Sequence, residues 1–230
     1  MFENKKALLL DMNSTFMFGE DRFDENEDFS IYYHSIGGKL SKDDLDRITR
    51  SAYKYLDDRY PDERYRHTFP SVEQAIESTL NVALSEEEKE KIINTFAFHE
   101  LGHIPHEFSN ALHILKEYFI LSVVIDIWSP KDSWLEIFEK SGVSELFSAA
   151  SFSSDHGMVK PSPMPFELVV NNLNIPKEEC LVIGDSVRRD LGGAIAAGID
   201  CILVGGAHDQ RAADSYPSLL EFCNEIKYNN

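Results

Sequence analysis

Three apolar runs in this chain each stop on an aspartate: Leu8-Leu9-Leu10 on Asp11, Val123-Val124-Ile125 on Asp126, and Val182-Ile183-Gly184 on Asp185. Short apolar runs without polar alternation fit strands buried on both faces, the condition of a parallel sheet covered by helices. Ligands of such sheets bind outside the carboxyl ends of the strands, where these aspartates fall. A single aspartate there is as readily an Asx turn or a helix cap, but three at one sheet end repel one another and call for a cation. Hard carboxylate oxygens favour Mg²⁺. Gly184 allows a sharp backbone turn before Asp185, and Asp190 follows one helical turn later to hold a supporting bond. Lys160 precedes Pro161, which biases it toward extended backbone, and Ser162 can cap the next helix. A lysine fixed there can neutralise a phosphate oxygen or the carboxylates themselves; taken alone, it reads as a surface lysine.

The elements that must position these groups alternate. Strands are expected at 7–10, 119–125, 147–152, 180–183 and 201–204, with helices at 109–118, 131–141 and 164–173 and a small-residue helix up to Gly198. This order makes an α/β fold with a doubly wound, Rossmann-like parallel-sheet core. Between the first strand and the helix at 109 the character changes: helical patterning recurs at 29–36, 43–56, 72–80 and 86–98, broken at Gly37-Gly38, Pro61 and Pro70, with Ser41 and Ser85 as N-caps. The expected organisation is a core of 1–15 and 105–230 with a small helical cap at 16–104. The last few residues are expected to fray.

At 230 residues the chain can bury a substantial interior, and its formal net charge of −18 argues against nucleic acid or an anionic membrane as partner. No apolar segment reaches membrane-spanning length and the start lacks a signal-peptide apolar region, so a cytoplasmic location is expected. Cys180, Cys201 and Cys223 have neither zinc nor disulfide spacing and are read as reduced thiols. Oligomeric state is not legible. One metal motif needs weighing: His99-Glu100-Leu101-Gly102-His103 matches HExxH, with His106 beyond, but Pro105 ends any helix almost at once.

Taken together, Asp11 to Thr15 (DMNST), the strand ending VVID, Lys160-Pro161 and GDSVRRD from Gly184 to Asp190 resemble the haloacid dehalogenase (HAD) superfamily of hydrolases. The helical segment after the first strand looks like the cap these enzymes place behind the nucleophile loop. The resemblance implies a Mg²⁺-dependent phosphatase-type reaction on a small phosphorylated metabolite. Asp11 would be the nucleophile and form an aspartyl-phosphate; Mg²⁺ would be held by Asp11, the Asn13 backbone carbonyl and Asp185, with Asp190 in support. Lys160 would balance charge on the transferred group, and Asp126 and Lys160 would face the substrate.

Two positions depart from the family's pattern. Asn13 stands where these phosphatases carry the aspartate that protonates the leaving group, a role that typically contributes about 10²–10⁴-fold. At the end of the middle strand Ile125 aligns with a phosphoryl-binding Ser or Thr, and only a one-residue bulge would bring Ser129 into its place. Two other readings therefore stay open. A phosphonatase-like enzyme would form a Schiff base on a cap lysine, Lys39 or Lys42; a degenerate family member would bind a phosphorylated ligand or a protein partner without turnover.

Overall fold

The computed structural model describes residues 2, 4–80 and 84–229. Its centre is β1 (Ala7–Leu10), the third strand of a six-stranded sheet, all of whose paired strands run parallel. Beside it lie β2 (Ile120–Ile125) and β3 (Phe147–Phe152) on one side, and β4 (Cys180–Gly184), β5 (Asp200–Leu203) and the short β6 (Asp214–Ser215) on the other, in the order β3-β2-β1-β4-β5-β6. The chain leaves β1 toward β2 and later crosses back to β4, so β1 sits where the winding reverses. A crevice opens at the carboxyl end of such a switch point.

The unbroken apolar run of β1 is accounted for by its two covered faces. Leu8 and Leu10 pack with Leu121, Val123 and Ile183 on one side, whereas Ala7 and Leu9 pack with Val124, Val182, Phe166 and Val169 on the other. Burying each leucine stabilises the fold by roughly 1.5–3 kcal/mol, so no polar alternation is tolerated. On the first side lie α5 (His106–Lys116), α6 (Asp132–Lys140) and α10 (Leu219–Asn229); on the second lie α8 (Met164–Leu173) and α9 (Gly192–Ala197), with the single-turn α7 (Ser153–His156) after β3. The C-terminal segment forms α10. Leu219, Phe222, Cys223 and Ile226 recur at helical spacing and are buried, with the Cys223 thiol donating to the Ala111 carbonyl oxygen of α5. Asn230 lies outside the described residues.

Between β1 and α5 run α1 (Phe29–Ser35), α2 (Lys42–Asp57), α3 (Val72–Thr79) and α4 (Glu86–Glu100). They bury a separate apolar cluster that includes Phe29, Tyr33, Leu45, Ile48, Leu56, Ile76, Ile92 and Phe96. Ser41 and Ser85 cap α2 and α4 as their positions imply, and Ser71 with Gln74 closes a capping box on α3. No helix among the described residues is long and apolar enough to cross a membrane.

Candidate active site

Directly after β1 the chain coils tightly: the N–H groups of Thr15, Phe16 and Met17 all point to the Met12 carbonyl oxygen, and Ser14 takes a left-handed φ of 57°. Asp11 is fixed at the mouth of this coil, its own N–H bonded to Ile183 O of β4 at 2.8 Å. Its carboxylate is buried and receives Lys160 Nζ on Oδ1 and, at 3.4 Å, the Thr15 hydroxyl on Oδ2. Lys160 reaches the site from the loop before α8. Only 2% exposed, it also donates to Asp190 Oδ1 at 2.8 Å, and so lies between two carboxylates.

Asp185 and Asp190 are brought in by the turn after β4. There the N–H groups of Asp190 and Leu191 both reach Ser186 O, at 3.0 and 3.1 Å, the second closing an i→i+5 ring of the π type that recurs at functional sites. The turn folds the Asp190 carboxylate back onto the Ser186 N–H at 2.9 Å. A Cβ at position 184 would lie 2.3 Å from Asp190 Cγ, so only glycine lets this carboxylate close in. Oxygens of Asp11, Asp185 and Asp190 lie within 4.8 Å of one another.

The electrostatics follow from burial. Desolvation, reinforced by Asp190, pushes the Asp11 carboxyl up against the pull of Lys160; burial and then Asp190 push Asp185 up as well. Burial works against the Lys160 charge, but Asp11, Asp190 and Asp126 outweigh it and hold the ammonium protonated. Three carboxylates against one ammonium leave two negative charges for a divalent ion to balance. Asp185 Oδ1 and Asn13 Oδ1 are buried with no hydrogen-bond partner, as oxygens waiting for a cation would be. The donor set is all oxygen and suits a hard divalent cation.

The end of β2 differs from its alignment. Ile125 is 2% exposed and packs in the apolar core beside Val123 and Trp134, so it offers nothing to a ligand. The next residue, Asp126, faces Lys160: its Oδ2 accepts the Lys160 N–H at 2.9 Å and the Tyr60 hydroxyl at 2.7 Å, and its Oδ1 is unpartnered. Ser129 lies beyond the strand end and is fully buried; its N–H donates to Glu100 Oε2 at 3.0 Å, and its hydroxyl has no hydrogen-bond partner among the described residues. Tyr60 was not legible as a site residue, since nothing near it in sequence ties it to a strand 66 positions away. Arg189, one residue from Asp190, comes to the same place, its guanidinium carbon 5.5 Å from the Tyr60 ring centroid.

The other sequence candidates lie apart from this cluster. Helix α4 ends at Glu100, so His99 and His103 do not share a helix face. His99 is buried 2.9 Å from Glu27, while the backbone of His103 pairs with Phe18. Among the described residues the one group with metal-ligand geometry is Asp11, Asp185 and Asp190. Lys39 and Lys42 are exposed, and Lys42 is paired with Asp28 at 2.5 Å; a Schiff-base amine needs desolvation to lose its proton.

Comparison with known proteins agrees with this geometry. The HAD-hydrolase-like family model matches residues 158–221, the stretch that carries Lys160, Asp185 and Asp190. The 5-amino-6-(5-phospho-D-ribitylamino)uracil phosphatase YigB of Escherichia coli is 27% identical over 173 residues, which cover 73% of this chain and 68% of that enzyme. A 2-haloacid dehalogenase from Pseudomonas syringae superposes with a TM-score of 0.65 at 18% identity, over 98% of this chain and 100% of its own. The magnesium-bound HAD-hydrolase YfnB from Bacillus subtilis gives 0.57 at 18%, over 96% and 98%. The two structures share the fold, and the family model spans the stretch that carries the lysine and the acidic turn. With strand-end aspartates, lysine and acidic turn in the order the motifs imply, the chain resembles the haloacid dehalogenase superfamily of hydrolases in both sequence and fold.

Proposed function

We propose that this protein is a Mg²⁺-dependent phosphatase-type hydrolase acting on a small phosphorylated metabolite, with residues 16–104 serving as a cap over the core. The observation that carries the reading is the set of buried Asp11 and Asp190 with half-buried Asp185, Lys160 lying between the first two, at the carboxyl end of the strand where the sheet reverses its winding. Asp11, Asp185 and the Asn13 carbonyl would hold the metal, with Asp190 in support, and the bound cation would offset phosphate charge and keep Asp11 ionised. The relatives point the same way: YigB is a phosphatase of a phosphoribityl compound, and YfnB is bound to magnesium.

Asp11 attacks phosphorus, the ester oxygen leaves, and the phosphoryl group passes to the aspartate before water hydrolyses it. Lys160 stays charged throughout and compensates the incoming oxyanion. Tyr60 and Asp126 close the cap side and limit the entry of water. Asn13 supplies a hydrogen bond but no proton, so turnover is slow and favours leaving groups that depart unprotonated.

The test is phosphate release from p-nitrophenyl phosphate with Mg²⁺. Activity removed by a chelator and by Asp11→Asn supports the reading; activity indifferent to Asp11 overturns it. Binding without turnover is the second reading, favoured by Asn13, and turnover abolished in Asp11→Asn removes it.

A further inference from the structure

The guanidinium groups of this acidic chain bond either to carboxylates, as in Arg47, Arg64, Arg66 and Arg211, or to backbone carbonyls, as in Arg22, Arg50, Arg59 and Arg188. Arg189 does neither: half-buried, it makes no side-chain hydrogen bond or ion pair among the described residues. It nevertheless sits in the combined field of Asp11, Asp185, Asp190, Asp126 and Asp21. Asp11 and Asp190 face Lys160, and Asp126 is taken by Tyr60 and the Lys160 N–H.

Two features hold the guanidinium over the carboxylates. It rests on the ring of Tyr60, whose hydroxyl is fixed at 2.7 Å on Asp126. Its neighbour Arg188 donates to Pro61 O at 2.8 Å and so ties the same loop to the same turn. Arg188 is thereby used up on the backbone, while Arg189 keeps five donors free beside the cluster.

The site is short of donors for an oxyanion. Lys160 spends two of its three N–H bonds on Asp11 and Asp190. The end of β2, where a hydroxyl would serve, offers the acceptor Asp126 and the buried Ile125. A planar, permanently charged fork is the side chain best suited to bind a phosphoryl group. We propose that Arg189 is an oxyanion-binding residue of this site, donating guanidinium hydrogen bonds to the phosphoryl group of the bound ester in place of the missing strand-end hydroxyl. The inference rests on the phosphatase reading and assigns the recognition of its substrate's anionic group.

The test titrates inorganic phosphate calorimetrically, in Mg²⁺, into wild type, Arg189→Met, which keeps an apolar stem against Tyr60, Arg189→Lys, which keeps the charge, and Arg47→Met, an exposed arginine of α2 paired with Asp44, as control. Loss of charged hydrogen bonds is expected to weaken phosphate binding roughly tenfold to a hundredfold in Arg189→Met, with partial recovery in Arg189→Lys and no change in Arg47→Met. KM for p-nitrophenyl phosphate should rise in parallel. If wild type hydrolyses esters while Arg189→Met matches its KM and phosphate affinity, the inference falls and the phosphatase reading stands. If wild type turns over no ester yet binds phosphate through Arg189, the reading falls and the inference stands. A wild type that binds no phosphate in millimolar Mg²⁺ overturns the inference.

Discussion

Position 13 separates what this site can bind from how fast it can react. Under the proposed phosphatase reaction, an amide in place of a carboxylic acid would keep the loop's carbonyl for the metal and remove its proton transfer. Asn13→Asp is therefore expected to raise turnover of alkyl phosphates by up to about 10²-fold, and of p-nitrophenyl phosphate much less, because an acid matters most for a basic leaving group. Steady-state rates on a series of esters of rising leaving-group pKa check this; a uniform increase would show that Asp at 13 acts through binding instead. Asp11, Lys160, Asp185 and Asp190 were legible in the sequence because each belongs to a local pattern, a strand end or a Lys-Pro step. Tyr60 was not, since its contacts with Asp126 and Arg189 join distant segments that no local spacing encodes, and Arg189 stood beside a helix start where a phosphate contact and a surface arginine read alike. Gly184 lies between these cases. Its closeness to Asp190 implies that Gly184→Ala displaces that carboxylate, and a loss of about 10–100-fold in Mg²⁺ affinity, measured by titration, is the expected outcome.

Among elements, the join between α4 and the loop after β2 turns on one buried side chain. Glu100, the last residue of α4 and 4% exposed, accepts Trp128 N–H at 2.6 Å and Ser129 N–H at 3.0 Å. In the sequence this residue stood in the HExxH pattern, and its fastening role was hidden because its partners are backbone groups that any residue offers. The helices and strands were largely legible, since period and caps are local, and the apolar spacing of Leu219, Phe222, Cys223 and Ile226 in α10 is helical in the same way. Burial pushes the Glu100 carboxyl up to about 7, against the opposing pull of its two N–H donors. An acid whose folded pKa lies above its unfolded value binds more protons when folded, so stability falls as pH rises from about 4.5 to about 7 and is level beyond. At roughly 1.4 kcal/mol per unit, Glu100 contributes a decline of about 3 kcal/mol across that window. Glu100→Gln leaves one N–H unpaired at every pH, and is expected to be less stable near pH 5 but to lack this decline. Urea unfolding of both proteins from pH 4.5 to 8 measures the two slopes; parallel curves would show that Glu100 does not titrate in this range.

For the molecule as a whole, the fold gathers like charges at the one crevice its topology creates, within a chain that is already strongly negative. Two covered sheet faces and a separate helical core provide the stability against which that repulsion is held. Function and stability should thus oppose each other at Asp185, whose Oδ1 has no protein partner and whose carboxyl is pushed up by burial and by Asp190. Without a divalent cation, Asp185→Asn removes a buried charge from the cluster, and is expected to raise the melting temperature, by about 2–4 °C for each kcal/mol of repulsion relieved. With Mg²⁺ the order reverses: wild type gains about 2.7 kcal/mol when the ion is at a hundred times its Kd, whereas the variant has lost a ligand and half of the excess negative charge that draws the ion. Melting curves of both proteins with EDTA and then with increasing Mg²⁺ should therefore cross. An equal Mg²⁺ response in the two proteins would place the cation elsewhere, and a lower EDTA melting temperature for the variant would show that Asp185 stabilises the fold through contacts other than a metal.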